Sequence, residues 1–347
     1  MLNGDVKFVD SNGLHIWTER FGNSGDPAVL LIMGTSAQSI AWPDELVEAL
    51  VRGGRQVIRY DHRDTGQSDT VDFERHPYTL TDMAADSLAV LDGHQLPAAH
   101  IVGASLGGTL AQLLAVHHPG RVLTLTAIMS GPMAHNPAPA WSRALAGQPA
   151  DPTDLPPPSA EFLRHVTTMA TAPPSDRAAA DLETWRILNG PDLPFDEPAA
   201  RRLIADSHRR AKDPSAALHH DAAGRAITPD RQAPLSTVKA PAQVIHGTAD
   251  PLRPLPHGQA LAAQLPAAQF HPVPGMGHSF LSPGIPAQVA SLILTHTATD
   301  DPGQPRLYAS NALVPRPRDQ DFCRLVLQMA TRLEIGLLDG PPDLGLL

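Results

Sequence analysis

The chain has 347 residues, of which 42% are hydrophobic and 18% are charged, a balance typical of a globular enzyme and not of a disordered chain. Its formal net charge of −10 leaves no basic face to neutralise phosphates, which excludes nucleic acid and an anionic membrane surface as partners. The single cysteine, Cys323, excludes an intrachain disulfide. Because the sequence shows neither a signal-peptide pattern nor a membrane-spanning apolar run, it predicts a cytoplasmic protein.

Short apolar segments alternate with amphipathic segments through most of the chain. The first two, at 6–9 and 14–20, flank Asn-Gly and predict a β-hairpin. Further strands are predicted at 28–34, 56–61, 99–105, 122–131, 242–250 and 267–275. Helices are predicted at roughly 43–52, 79–93, 106–117, 256–265 and 285–297. Strands rich in Val, Ile and Leu that alternate with helices predict a mostly parallel central sheet with helices on both faces.

The alternation of strands and helices stops between residues 132 and 238. This segment is rich in proline and favours helices over strands. Because strands resume after it, we expect 132–238 to form a helical cap inserted into a core made of 1–131 and 239–300. Residues 301–347 read as a Pro-rich linker and a helical extension, which we expect to dock on its own domain or to mediate homo-oligomer contacts.

Residues 103–107 read Gly-Ala-Ser-Leu-Gly and match the G-x-S-x-G pattern of a nucleophile elbow. The pattern needs a serine at the tip of a tight strand-to-helix turn, with Gly103 and Gly107 giving the clearance that this turn requires. The apolar strand before Ser105 and the helical pattern after it favour a nucleophile over a packing turn. A phosphate-binding loop is excluded because no lysine follows Gly108, and a dinucleotide fingerprint is excluded because residue 105 is not glycine.

A serine nucleophile needs a histidine base and an acid that orients the histidine. In doubly wound folds these residues follow in the order serine, acid, histidine. Asp250 ends a predicted strand, and His278 lies in a Gly-rich loop after the next strand. The structural alternatives are a turn aspartate before Pro251 and a surface histidine, one of 17 in the chain. The order and the strand-end positions predict a triad of Ser105, Asp250 and His278.

An oxyanion hole is predicted beside this triad. One donor is the backbone N–H of the residue after the nucleophile, Leu106, and the second comes from the loop after an early strand. Gly34 and Thr35 follow the apolar segment 28–33 directly, so the Thr35 N–H is assigned as the second donor and Gly34 as the residue that permits the bend. The alternative is an ordinary strand-to-loop turn.

Two other clusters receive no catalytic role. Residues 61–64, Asp-His-Arg-Asp, are expected to brace a loop beside the active site. The histidine pairs at 117–118 and 219–220 lack the spacing of a metal site, so neither a metal nor a cofactor is predicted.

Four segments resemble the α/β-hydrolase superfamily: "IRYDHRDTGQSD" (58–69), "VGASLGG" (102–108), "HGTADPL" (246–252) and "PGMGH" (274–278). Within it, "VIRYDHRDTGQSD", "HPYTLTDMAADSLAVLDG" and "WRILNGPDLPF" look like the aclacinomycin methylesterase group of polyketide-tailoring esterases. The resemblance covers roughly residues 5–297. It implies the α/β-hydrolase fold and a methylesterase that acts on a carbomethoxy group of a hydrophobic aromatic polyketide.

Carried over to this sequence, the resemblance implies Ser105, Asp250 and His278 as the triad and Leu106 and Thr35 as the oxyanion donors. The chain departs from the usual pattern in having Met33 where many hydrolases have histidine, and in the extension 301–347, which the resemblance does not cover. Other functions stay open on the same fold. They are a lactonase, a perhydrolase, an aminopeptidase-like hydrolase, and a non-hydrolytic protein that binds a small molecule or assists a cyclisation.

Overall fold

The structure, a computed structural model, describes residues 4–169 and 177–298, so the predicted linker and helix over 301–347 lie outside the described residues. Eight strands in this part form one sheet in the order β1-β2-β4-β3-β5-β6-β7-β8. They are β1 (Asp5–Ser11), β2 (Leu14–Phe21), β3 (Ala28–Ile32), β4 (Gln56–Tyr60), β5 (Ala99–Ala104), β6 (Val122–Ile128), β7 (Ala242–Gly247) and β8 (Gln269–Val273). The pairs β1–β2 and β2–β4 are antiparallel, and the remaining pairs are parallel.

Helices cover both faces of the sheet. Those that alternate with strands are α1 (Asp44–Arg52), α2 (Leu80–Gly93), α3 (Leu106–His117), α9 (Pro256–Gln264) and α10 (Ile285–Thr297). One hydrophobic core joins the sheet to α2, α3 and α9, and a second joins its other face to α1 and α10. Strand β3 shows why two cores form, since Leu30 and Ile32 face the first and Val29 and Leu31 face the second. The mostly parallel, two-faced sheet that the alternation predicted is confirmed.

Several predicted strands extend beyond the observed ones at their carboxyl ends. The segments predicted to end at residues 34, 131 and 250 end at Ile32, Ile128 and Gly247. Residues past these points stay largely buried, because the loops at this edge of the sheet pack under the rest of the chain. Apolar composition reports burial and not strand pairing, so it cannot mark where the sheet ends.

The segment between β6 and β7 is helical in its described part. It contains α4 (Ala138–Leu145), α5 (Ala160–Met169), α6 (Arg177–Asn189), α7 (Glu197–Arg210) and α8 (His219–Arg225). Leu182 of α6 and Ala200 and Ile204 of α7 form a small separate hydrophobic cluster. We call residues 132–238 the insertion; its role as a cap stays a prediction. Among the described helices, none is both long and apolar enough to cross a membrane.

Candidate active site

Ser105 occupies the sharp turn between β5 and α3. Its backbone has φ 54° and ψ −115°, a left-handed conformation that costs a residue with a side chain roughly 1–3 kcal/mol. The Ser105 N–H donates to Ile128 O at 2.8 Å, which ties this strained residue to the neighbouring strand β6. The Ser105 amide is therefore engaged by the sheet.

The glycines around Ser105 allow backbones to approach each other. A Cβ added to Gly103 would overlap the Gly107 carbonyl, and one added to Gly107 would overlap the Ile32 carbonyl at the end of β3. The glycine spacing predicted clearance around the serine, but the closest approaches of these two glycines join them to each other and to β3. Gly34 lies close to the serine itself, since a Cβ added to it would stand 3.2 Å from Ser105 Cβ.

Asp250 and His278 come together at the carboxyl edge of the sheet, after β7 and β8. His278 Nδ1 lies 2.7 Å from Asp250 Oδ2, and both side chains are buried. Asp250 Oδ1 accepts the N–H groups of Leu252 and Arg253 at 2.9 and 2.7 Å. The aspartate thus caps its own turn with one oxygen and holds the histidine with the other, so the two interpretations of Asp250 are compatible.

The electrostatics keep Asp250 ionised. Burial alone raises the pKa of a carboxyl, but the interactions with His278 and His246 and the hydrogen bond from the Arg253 N–H together outweigh it, so the pKa of Asp250 lies below its usual range. His278 Nε2 is buried and has no hydrogen-bond partner in the described residues, so it is not bonded to Ser105 Oγ in this structure. Bonds of this kind are often long without substrate and tighten when it binds.

The loop that carries His278 is held by the end of α6 in the insertion. The His278 N–H donates to Leu188 O at 2.6 Å. The buried Asn189 Oδ1 accepts the hydroxyls of Ser279 and Ser282 at 3.1 and 2.9 Å. No sequence motif predicts Asn189 as a site residue, although it lies in the segment "WRILNGPDLPF" that carries the family resemblance.

The two predicted oxyanion donors come from different segments: Leu106 directly follows Ser105, and Thr35 lies in the loop after β3. Leu106 is the first residue of α3, so its N–H has no partner within the helix. Thr35 directly follows Gly34, whose Cα approaches the Ser105 side chain. The structure therefore brings the loop that carries Thr35 beside Ser105, and the role of the two N–H groups as oxyanion donors stays a prediction.

The comparisons with known proteins decide the family. A family model described as "alpha/beta hydrolase fold" matches residues 27–284. This chain belongs to the α/β-hydrolase family. Rhodomycin D methylesterase DnrP from Streptomyces peucetius is 39% identical over 84% of this chain and 98% of its own length. Rhodomycin D methylesterase DauP from Streptomyces sp. (strain C5) is 37% identical over the same shares of the two chains.

Solved structures agree with this fold. A hydrolase from Pseudomonas aeruginosa PA01 superposes with a TM-score of 0.64 at 25% identity, covering 85% of this chain and 99% of its own. The esterase RhEst1 from Rhodococcus sp. ECU1013 gives a TM-score of 0.67 at 21% identity, covering 85% and 98%. The solved structures show the fold alone. The two methylesterase relatives, together with the family match, make this α/β-hydrolase a carboxylic ester hydrolase.

In this hydrolase the Asp-His-Arg-Asp segment after β4 is buried and holds other elements. Asp61 accepts the N–H and hydroxyl of Ser39 and the guanidinium of Arg210, at 2.9, 2.7 and 2.6 Å. Arg63 makes a bidentate ion pair with Asp86 of α2, with both contacts at 2.7 Å. These contacts agree with a bracing role.

Within residues 4–169 and 177–298 of the hydrolase, no three His, Cys, Asp or Glu side chains are grouped to hold a metal ion.

Proposed function

We propose that this esterase hydrolyses a methyl ester of a hydrophobic, polyketide-like small molecule through a triad of Ser105, His278 and Asp250 and an acyl-enzyme intermediate. The observation that carries the proposal is the 2.7 Å contact between His278 Nδ1 and Asp250 Oδ2. It leaves His278 Nε2 buried and unpartnered at the same edge of the sheet as the strained Ser105. A base that is oriented at one nitrogen and free at the other is what serine chemistry requires.

In the acylation half, His278 Nε2 takes the proton of Ser105 Oγ while Oγ attacks the ester carbonyl carbon. The carbonyl oxygen becomes an oxyanion that accepts the N–H groups of Leu106 and Thr35. The tetrahedral intermediate then expels the alkoxide, which takes the proton from His278 and leaves as methanol. Asp250 stays ionised throughout, because its pKa lies below the usual range, and it stabilises the imidazolium.

In the deacylation half, a water molecule gives one proton to His278 and attacks the acyl carbon. The second tetrahedral intermediate uses the same two N–H donors. It collapses by returning the proton to Ser105 Oγ, which releases the carboxylic acid. The overall reaction consumes one ester and one water and produces one acid and one methanol, without a cofactor.

The substrate class rests on the named relatives. The two methylesterase relatives are named for rhodomycin D. Phe280, two residues after His278, stacks on the buried Trp42 with ring centroids 5.1 Å apart. Both rings are buried in the core on this face of the sheet, so the choice of an aromatic polyketide ester rests on the relatives.

A fluorophosphonate probe tests the mechanism. It should label the wild-type enzyme and fail to label Ser105→Ala, because only an activated serine reacts with such a probe. Ser130→Ala is the matched control, since it removes a neighbouring buried hydroxyl that donates to Ser105 O, and it should keep labelling. If folded wild-type enzyme stays unlabelled, or if Ser105→Ala still hydrolyses p-nitrophenyl acetate, the proposed triad is wrong.

The leaving group is tested with methyl and isopropyl esters of one aromatic polyketide acid. Methanol and free acid should appear in equal amounts, measured by chromatography and mass spectrometry. Kcat/KM should be at least about tenfold higher for the methyl ester, since one or two extra carbons in a fitted pocket are worth roughly 10–200-fold. Equal rates for the two esters would contradict selection for a methyl group.

A further inference from the structure

The loop after β3 holds an unusual conformation that the insertion stabilises. Ser36, the residue after the proposed oxyanion donor Thr35, has φ 58°, in the left-handed region. Its N–H donates to His220 Nδ1 at 3.0 Å, and its hydroxyl donates to Ala217 O at 2.7 Å. His220 lies in α8 and Ala217 just before it, so both partners of Ser36 belong to the insertion.

The partners of His220 define its state. Nδ1 meets a backbone N–H, which can only donate, and Nε2 lies 2.8 Å from Arg63 O, which can only accept. The ring is therefore the neutral tautomer with its proton on Nε2. Burial lowers the pKa of His220 to about 3, so the ring stays neutral at physiological pH. Its side chain is fully buried and its two contacts fix its orientation.

A second histidine holds the start of the same loop. His62 Nε2 donates to Met33 O at 2.9 Å. The rings of His62 and His220 meet edge-to-face, with centroids 5.5 Å apart and an interplanar angle of 90°. Residues 34 and 35 thus lie between an anchor from the core and an anchor from the insertion.

These anchors determine where the Thr35 N–H points. Gly34 O accepts the N–H of Ala37 at 3.4 Å, so the Gly34 carbonyl points toward Ala37, inside the loop. Because the peptide between Gly34 and Thr35 is planar and trans, its N–H points away from that carbonyl. The orientation of the donor depends on the turn closed at Ser36, whose left-handed backbone costs roughly 1–3 kcal/mol and persists only while its surroundings hold it.

We propose that His220 is a positioning residue for the esterase reaction: by accepting the Ser36 N–H, it holds the Thr35 N–H in place for the oxyanion. This inference rests on the proposed function, and it assigns a part of the oxyanion hole to the insertion. The competing interpretation is that His220 only docks α8 onto the core.

The test compares His220→Ala with His220→Asn, using p-nitrophenyl acetate. Removal of an oxyanion donor typically lowers kcat by about 10²–10³-fold, and displacement of a donor should cost less, about 10–10²-fold in His220→Ala with KM within about threefold of wild type. Asn places a side-chain oxygen near the position of Nδ1, so His220→Asn should recover kcat to within about tenfold of wild type. His219→Ala is the matched control, because this neighbouring histidine contacts Asp64 and not the loop.

A second readout separates positioning from docking. Phenylboronic acid forms a tetrahedral adduct with a reactive serine and places an oxygen in the oxyanion hole. Its inhibition constant should rise in His220→Ala by about the same factor as kcat/KM falls, whatever stability the loss of this buried ring costs, and it should not rise in His219→Ala. A fall in melting temperature with kcat and boronate affinity unchanged would assign His220 to docking alone and overturn the proposal.

The controls separate a failure of the proposed function from a failure of the positioning role. If the wild type is not labelled by a fluorophosphonate at Ser105, the proposed function fails. If the wild type is labelled and His220→Ala keeps wild-type kcat, only the positioning role fails. If His220→Ala does not fold, the kcat of His220→Asn is compared with that of His220→Gln. Gln places its amide near the position of Nε2, so it cannot accept the Ser36 N–H, and its kcat should be lower than that of His220→Asn. Equal kcat in these two variants contradicts the proposal.

Discussion

The nucleophile elbow and the two loops that face it are stabilised by different parts of the molecule. Ser105 is held by the sheet, through Ile128 O and the close approach of Gly107 to β3. The His278 loop is held by Leu188 and Asn189 at the end of α6. The loop 33–37 is held by His220 on one side and His62 on the other. The core therefore builds the turn of the proposed nucleophile, and the insertion helps to hold the loops of the proposed base and the proposed oxyanion donor.

This difference separates two ways in which substitutions can damage the enzyme. A change at the elbow disturbs the packing of β3, β5 and α3, so stability and activity fall together. A change at the insertion contacts alters the orientation of a catalytic group while the sheet stays intact, so activity falls more than stability. The variants below test this separation, from the largest expected effect to the smallest.

Gly107→Ala should have the largest effect. Its added Cβ would overlap the Ile32 carbonyl, which is backbone in a central strand and cannot move aside without shifting β3 against α3. Overpacking against a backbone of this kind costs about 3 kcal/mol or more in the free energy of unfolding, measured by urea denaturation.

Gly224→Ala gives the matched control for this prediction. No heavy atom lies within 4 Å of a Cβ added to Gly224 in α8, so the substitution should be neutral or stabilise by about 0.5–1 kcal/mol. A Gly107→Ala enzyme with wild-type stability would show that the elbow tolerates a side chain there, and the clearance argument would be wrong.

The elbow could be predicted from sequence because its determinants are adjacent in the chain. The strand, the glycine spacing and the helix all lie within residues 99–117, and backbone sterics alone give the pattern its meaning. The order of Ser105, Asp250 and His278 added long-range information only because each residue follows a recognisable strand. The structure brings His278 Nδ1 to 2.7 Å from Asp250 Oδ2, and the triad of these two residues with Ser105 stays a prediction.

The contacts from the insertion could not be predicted in this way. Ser36 and His220 are 184 positions apart, and no periodicity or spacing links them. From sequence, the histidine pair at 219–220 can be compared only with metal-binding motifs. Local sequence cannot show that one ring of the pair is buried against a distant loop. Contacts of this kind depend on how the insertion packs, which the sequence pattern does not encode.

Asn189→Ala should have the next largest effect. It leaves the buried hydroxyls of Ser279 and Ser282 without their acceptor, which costs about 1–3 kcal/mol in the free energy of unfolding. Because these serines follow His278, its ring should lose its fixed position, and we expect kcat on p-nitrophenyl acetate to fall by at least about tenfold. Steady-state kinetics and urea denaturation measure the two effects.

Asn136→Ala is the control, since this asparagine also lies in the insertion but accepts only the exposed Ala138 N–H. It should keep wild-type kcat. If Asn189→Ala loses stability yet keeps kcat, the end of α6 supports the fold and has no part in placing His278.

The smallest predicted effect concerns a histidine of the core, His100 in β5. Burial, reinforced by the charges of Arg55 and His296, lowers its pKa to about 4 from an ordinary value near 6.5. Between these two values the unfolded chain binds a proton that the folded chain refuses, so stability is complete above about pH 6.5 and falls as the pH approaches 4. This one group contributes at most about 1.4 kcal/mol per pH unit to that slope.

His100→Gln should therefore reduce the dependence of unfolding free energy on pH between 4 and 6.5, measured by urea denaturation at several pH values. Thr124→Val is the control, because it removes the hydroxyl 3.0 Å from His100 Nδ1 but leaves the histidine buried. It should lower the free energy of unfolding by about 1 kcal/mol and keep the slope of that free energy with pH, since burial and not this hydrogen bond sets the pKa of His100.

Activity gives a second comparison with His220. His100 lies in β5 and bonds to Thr124 of the core, so activity at neutral pH should not change in His100→Gln. A loss of kcat there would show that the core, too, adjusts the orientation of catalytic groups, and the division between core and insertion would not hold.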